Sequence, residues 1–131
     1  MLRLSLFINY DGEIDEIAEK ISRIFGMDIK KEIDEAVEVQ RYTFRCFDIE
    51  FVLFDNHELE DDCGIKFSNY NYELDMLKLN YAAKHQSYAE AYNHIARFLT
   101  ERLAYDLGAN TMLVENLSKI VFSTIPTMAR T

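Results

Sequence analysis

The start of the chain alternates apolar and polar residues. Leu2, Leu4, Leu6 and Ile8 occupy every second position, which is the period of a strand that turns one face toward a core. The pattern then changes to helical spacing over about residues 12–25. The apolar positions of that stretch are Ile14, Ile17, Ala18, Ile21, Ile24 and Phe25. Gly26 follows where a left-handed residue closes a helix, so the pattern predicts a strand and then an amphipathic helix.

Strand-forming residues dominate between about residues 35 and 55. A short break near Phe47 and Asp48 divides this stretch, and two adjacent strands that form a hairpin are the simplest interpretation. The polar segment 56–64 ends in glycine and is predicted to be an exposed loop. Alternating tyrosine, leucine and methionine residues over about 67–81 predict a further strand.

A long helix is predicted from Ser87 to Gly108. Ser87 and Glu90 have the spacing of a capping box, in which the two side chains satisfy free backbone N–H groups of the first turn. Its predicted buried stripe is Tyr88, Ala91, Tyr92, Ile95, Phe98, Leu99 and Leu103. Arg97 and Glu101 lie four positions apart and are expected to form a surface ion pair.

Residues 111–122 fit the period of a strand and also that of a helix, so the sequence leaves this segment open. The order of the other elements predicts an α+β fold, a mainly antiparallel sheet with two principal helices packed on it. The 131 residues suffice for one domain, 1–131. Hydrophobic residues at 49% and charged residues at 28% are ordinary values for a globular protein and exclude a disordered chain.

Negative charge is concentrated in one stretch, between Asp48 and Leu77. Its nine carboxylates are Asp48, Glu50, Asp55, Glu58, Glu60, Asp61, Asp62, Glu73 and Asp75. Against them stands the single base Lys66, so this stretch has a net charge of −8 in a protein of net charge −9. Such a field attracts basic proteins and repels polyanions, so a basic protein partner is expected and nucleic acid is not.

The sequence has no run of about 18 apolar residues, so no membrane partner is expected and the predicted location is the cytoplasm. Two cysteines, Cys46 and Cys63, do not form a C-x-x-C pair. In the cytoplasm such cysteines are expected to be reduced thiols.

The segment 55–64 is dense in chemically capable side chains, but it matches no catalytic motif. It lacks the ligand spacing of a calcium loop, and His57 and Cys63 supply only two soft ligands for a transition metal. Asp61 and Asp62 would oppose formation of a thiolate at Cys63 by like-charge repulsion. No catalytic residue, metal or cofactor is therefore assigned. The competing interpretation is a small metal-binding enzyme or regulatory domain that uses Asp55, His57, Glu58, Asp61 and Asp62.

Carboxylates beside tyrosines favour protein recognition, since aromatic residues are enriched at interface centres. The predicted partner-binding residues are Asp55, His57, Glu58, Glu60, Asp61, Asp62, Tyr70, Tyr72, Glu73 and Asp75. Strand alternation places Tyr70 and Tyr72 on one face and Asn71 and Glu73 on the other, so both sets reach one partner only at an edge. A solvated loop beside half-buried tyrosines is the simpler alternative.

A small acidic α+β protein with an acid-rich loop beside tyrosines resembles the bacterial immunity proteins of contact-dependent growth inhibition systems. This resemblance implies a cytoplasmic antitoxin that binds the toxin domain of a contact-delivered protein, commonly a basic nuclease. Inhibition would come from blocking the active site or the nucleic-acid surface of the toxin. The family is structurally diverse, so the resemblance assigns no residue by position and leaves the oligomeric state open.

Overall fold

The computed structural model describes residues 2–34 and 39–124. In chain order the elements are β1 (Leu4–Asn9), α1 (Ile14–Phe25), β2 (Lys30–Asp34), β3 (Val39–Cys46), β4 (Ile49–Asp55), a 3₁₀ helix (Phe67–Asn69), β5 (Tyr72–Lys78), α2 (Asn80–Lys84), α3 (Tyr88–Leu107), β6 (Asn110–Glu115) and β7 (Lys119–Thr124). The predicted start of the second strand, residues 35–38, and the residues after 124 lie outside the described part.

Within those residues the strands form one seven-stranded antiparallel sheet in the order β2-β3-β4-β5-β1-β6-β7. The first strand, β1, lies inside the sheet between β5 and β6. The α+β prediction of a mainly antiparallel sheet with two principal helices is confirmed. Segment 111–122, for which the sequence allowed both a strand and a helix, lies in a hairpin formed by β6 and β7.

We call the side of the sheet that faces α1 and α3 the helix face. The main core lies there and contains Leu6 of β1, Ile17 of α1 and Leu99 of α3. Tyr92 of α3 joins the helix to the sheet backbone, since its hydroxyl donates to the Met76 carbonyl at 2.6 Å and accepts from the Leu4 N–H at 2.8 Å. This buried pair of bonds fixes where α3 sits across β1 and β5.

We call the other side of the sheet the loop face, because residues 56–71 cross it. A second, smaller core lies between this loop and β1 and β6. Its buried members are Phe7, Ile65, Phe67, Met112 and Val114. Both faces of β1 are therefore covered, which explains why Leu4, Ser5, Leu6, Phe7 and Ile8 are all buried.

Both helix ends follow the glycine prediction, since Gly26 and Gly108 adopt the left-handed conformation. The predicted capping box at Ser87 is wrong. Ser87 has helical backbone angles and makes no side-chain cap bond. The equivalent bond lies at α1, where the Glu16 carboxylate accepts the Glu13 N–H at 2.7 Å.

The buried stripe of α3 is rotated relative to the prediction. Ala91 and Phe98 are exposed, whereas the fully or nearly fully buried residues of the helix are Tyr92, Ala96, Leu99, Thr100, Leu103 and Ala104. The expected pair of Arg97 with Glu101 is not formed, because the Arg97 guanidinium lies 4.3 Å from the centre of the Phe122 ring in β7. Among the described helices, none has the length and apolarity needed to cross a bilayer.

The strand predicted over 67–81 is shorter than expected. Phe67 packs into the second core as part of the 3₁₀ helix, so pairing with the sheet begins only at Tyr72. The strand ends at Lys78, and the short helix α2 follows. The alternation of residues predicted a strand from residue 67, but burial of Phe67 in the second core decides the local structure instead.

Candidate functional site

The acid-rich loop is anchored on the sheet. Ile65 and Phe67 are buried in the second core, and Leu59 and Tyr70 pack partly against it. The Phe7 and Phe67 rings lie 5.0 Å apart between centres. The loop therefore has apolar anchors of its own, which hold its polar residues at defined positions.

His57 fixes the start of the loop. The Leu59 N–H donates to its Nδ1 at 2.9 Å, and its Nε2 lies 2.7 Å from the Tyr70 carbonyl. A neutral ring with the proton on Nε2 satisfies both contacts, since one nitrogen accepts and the other donates. His57 thus acts as a clamp between the two ends of the loop.

The middle of the loop is a tight turn. Asp62 and Ile65 exchange both backbone hydrogen bonds, at 3.1 and 2.8 Å. Cys63 and Gly64 between them have positive φ angles of 51° and 74°, as two-residue hairpin turns require. The Ser68 N–H donates to Asp61 Oδ1 at 3.0 Å. Backbone hydrogen bonds therefore hold Asp61 and Asp62 in place.

A groove of about 570 Å³ lies along this loop. Its lining combines four carboxylates with three apolar side chains: Glu58, Glu60, Asp61 and Asp62 with Leu59, Phe67 and Leu117. We call it the acidic groove. Leu117 comes from the β6–β7 turn, so the groove joins two segments that are distant in sequence.

The four groove carboxylates are exposed. None of the ion pairs between described residues involves them. The hydrogen bonds from Ser68, first from its backbone N–H, hold the pKa of Asp61 below its usual value, with a smaller contribution from Lys66. The groove therefore presents concentrated negative charge to solvent beside apolar surface.

Glu73 and Asp75 lie on the loop face of β5, outside the groove. Asp75 accepts hydrogen bonds from the Arg3 guanidinium and, at 2.8 Å, from the Ser5 hydroxyl. Glu73 is 5% exposed. Its burial, and then the charge and hydrogen bond of Asp75, raise the pKa of Glu73 to about 8. The raised pKa favours the protonated form of Glu73 at neutral pH.

Six predicted partner-binding residues do not line the groove: Asp55, His57, Tyr70, Tyr72, Glu73 and Asp75. Asp55 is half-buried at the end of β4, and Asp75 is paired with Arg3. Tyr72 and Glu73 are buried, on opposite faces of the sheet. Direct partner contact by Tyr72 and Glu73 is corrected, because Tyr72 is buried in the main core and Glu73 is buried on the loop face. Partner contact by the other predicted residues remains a prediction.

Tyr70 and Tyr72 do not share a strand face as predicted. Tyr70 precedes β5 and packs half-buried against the second core, whereas Tyr72 belongs to the main core. The Tyr72 hydroxyl donates to the Gly12 carbonyl at 2.7 Å. Only Tyr70 of this pair lies in the loop that carries the acidic groove.

Leu117 was not predicted as a groove residue. It is 37% exposed and has a φ of 55°, a conformation that is unfavourable for a bulky side chain. The local signal is a leucine at a turn position where asparagine or glycine is preferred. That Leu117 lies close to the acid-rich loop depends on the order of the strands in the sheet.

Among the described residues, no group of three or more His, Cys, Asp or Glu side chains is arranged to hold a metal ion. Cys46 and Cys63 are free thiols. Cys46 lies at the end of β3, and Cys63 lies in the loop turn on the other side of the sheet.

Comparison with protein-family models, with curated proteins and with solved structures gives no match for this chain. Its function is therefore to be argued from the geometry and charge of its own residues.

Proposed function

We propose that this protein is a cytoplasmic immunity protein that binds and blocks a basic toxin domain of the nuclease type. The observation that carries the proposal is the acidic groove, where four exposed carboxylates that form no ion pair with another described residue surround apolar side chains. A nuclease binds phosphates with lysine and arginine. Those side chains are the chemical complement of the groove.

The lining suits long cationic side chains in particular. Arginine and lysine bury their aliphatic stems against apolar surface while the charged head remains at a polar rim. Leu59, Phe67 and Leu117 offer that surface, and the neighbouring carboxylates offer charge-assisted hydrogen bonds. Attraction and packing therefore occur in the same groove.

The anchored loop also favours fast and tight binding. The second core and the His57 clamp hold the carboxylates in place before a partner arrives. Association therefore costs little conformational entropy in this loop. Complementary charge steers encounters toward association rates of roughly 10⁸ M⁻¹s⁻¹ at low salt. A rapid encounter suits an inhibitor of a lethal enzyme.

The test uses charge reversal in the groove. Glu58→Lys with Glu60→Lys removes negative charge at positions that form no hydrogen bond or ion pair with another described residue, so the loop's own bonds are kept. Glu90→Lys with Glu101→Lys on the exposed side of α3 makes the same change in net charge on the other side of the sheet. The partner for this test is a basic C-terminal toxin domain, to be sought in the reading frame adjacent to this protein's own.

We expect the groove variant to associate roughly tenfold to hundredfold more slowly in stopped flow at low salt, with a flatter salt dependence. Its inhibition of the nuclease should weaken in parallel, and the α3 variant should behave nearly as the wild type. Equal slowing in both variants would mean that only net charge matters. Absence of binding by the wild type would refute the assignment.

A further inference from the structure

A second concavity lies on the helix face, away from the acidic groove. It has a volume of about 410 Å³ and is formed by α1, the β3–β4 turn and α3. Its lining residues are Ile24, Phe25, Cys46, Phe47, His94, Ile95 and Phe98. We call it the apolar pocket. Its volume is within the range of roughly 300–1,000 Å³ that is usual for small-molecule sites.

The inner wall of the pocket is part of an aromatic cluster. The Phe25 ring lies 5.4 Å from Phe44 and 5.5 Å from Phe51, measured between ring centres. Phe44 and Phe51 stack at 4.5 Å within the main core. Because this aromatic cluster fixes Phe25, the pocket is formed in the protein without a ligand.

Phe47 forms the outer wall under backbone strain. It occupies the first central position of a two-residue turn with a φ of 54°, where asparagine or glycine is preferred. Its side chain is 59% exposed, so burial offsets little of that strain. Strained residues of this kind concentrate at ligand-binding sites. Phe98 is 51% exposed and is the pocket's other solvent-facing ring.

The electrostatics of the lining select an uncharged occupant. The protein has a net charge of −9, yet none of the described side chains that line the pocket carries a carboxylate or an ammonium group. An ionic ligand would lose hydration there without gaining a counter-charge. An aromatic ring gains contact with Phe25, Phe47 and Phe98 in offset or edge arrangements.

We propose that the apolar pocket binds a small uncharged aromatic molecule, whose ring contacts Phe47 and Phe98 and whose single polar group reaches His94. Among the described lining residues, His94 alone has a strongly polar hydrogen-bonding side chain. That side chain is 76% exposed at the rim, where its Nε2 lies 3.8 Å from Glu90 Oε1. This site is independent of toxin binding, because the acidic groove lies on the opposite face of the sheet.

The two free cysteines provide an internal test. Cys46 lines the pocket, whereas Cys63 is exposed in the acidic loop. Indole is the probe, and iodoacetamide alkylation of each cysteine is followed by peptide mass spectrometry. At an indole concentration ten times its dissociation constant, Cys46 alkylation should slow roughly tenfold, since only the unliganded protein reacts. The Cys63 rate should not change.

Two matched variants assign the effect to the pocket. Phe47→Gly removes the outer wall and relieves the turn strain, so the protein should fold and lose indole protection of Cys46. Leu117→Gly makes the corresponding change in the β6–β7 turn, at a φ of 55°, and should keep that protection. Phe98→Ala, at an exposed helix position, gives a second independent loss of protection.

Several outcomes would overturn the proposal. These are unchanged Cys46 alkylation, equal protection of Cys63, or full protection that persists in both Phe47→Gly and Phe98→Ala. Protection of Cys46 that grows with protein concentration in the absence of indole would mean that a second copy of the chain covers the pocket instead. A failure of toxin binding would leave each of these results unaffected.

Discussion

Glu73→Gln tests whether a protonated carboxyl group is built into the loop face. Glu73 lies opposite Phe7 of β1 and Phe54 of β4 in the strand register. Asp75, two positions along the same strand, accepts hydrogen bonds from Arg3 and Ser5. Burial, and then the neighbouring Asp75, favour the protonated form of Glu73.

The sign of the pH effect follows from the two states of Glu73. Burial raises the pKa of Glu73 from 4.5 to about 8 in the folded protein, whereas the unfolded chain loses the proton near 4.5. The stabilising contribution is therefore complete below pH 4.5 and is lost as the pH rises through 8. With one pKa unit equal to about 1.4 kcal/mol, the wild type should lose about 3–4 kcal/mol from this group between pH 5 and pH 9.

Glutamine retains the hydrogen-bond donor to Asp75 and does not titrate. The free energies of unfolding of wild type and Glu73→Gln should be close at pH 5 in urea titrations. The free energy of unfolding of the variant minus that of the wild type should be about 3–4 kcal/mol larger at pH 9 than at pH 5. Taking the difference between the two proteins cancels the other titrating groups.

Glu101→Gln, at an exposed position of α3, is the matched control and should show no such change with pH. If the difference between wild type and Glu73→Gln is the same at pH 5 and pH 9, Glu73 is ionised in the native protein.

Two further predictions concern buried and clamping hydrogen bonds. Tyr92→Phe leaves the Leu4 N–H and the Met76 carbonyl without their shared partner. The variant should lose about 1–3 kcal/mol of unfolding free energy, measured by urea denaturation. A loss smaller than a few tenths of a kcal/mol would contradict the role of this hydroxyl. His57→Ala removes the acceptor of the Leu59 N–H and should speed exchange of that amide at least tenfold in hydrogen-exchange NMR, while amides of α3 exchange as before. Unchanged protection of Leu59 would mean that His57 does not hold the loop.

The parts of the fold that were predicted correctly depend on local physics. The apolar spacing of α1 and the glycines Gly26 and Gly108 indicated helices and their ends, because helical periodicity and the left-handed conformation are properties of a few neighbouring residues. The turn at Phe47 and Asp48 was predicted for the same reason. The α+β class followed from the order of these elements.

Of the incorrect predictions, the one at Ser87 is local, and those at Arg97 and Phe67 involve contacts between distant segments. Ser87 matched a capping box, but the backbone there is already helical. Arg97 was expected to pair with Glu101, yet it lies over Phe122, which β7 brings to α3. The strand predicted from residue 67 was shortened because Phe67 is buried against β1 and β6. Local spacing contains no information about these neighbours.

The two candidate sites were accessible from the sequence to different degrees. The concentration of carboxylates between Asp48 and Leu77 was evident from the residues alone, since charge is a property of composition. The apolar pocket was not evident, because Phe25, Phe47 and Phe98 come from three elements that meet only in the folded chain.

The sequence by itself determined the amount and sign of charge, the helices with their glycine ends, and the fold class. Tertiary structure alone decided which carboxylates reach solvent. Strand register buried Glu73 beside Asp75, while the second core held Glu58, Glu60, Asp61 and Asp62 at the surface near Leu117. The physical reason is that burial and pairing depend on neighbours across the sheet, and the sheet order brings those neighbours from distant parts of the chain.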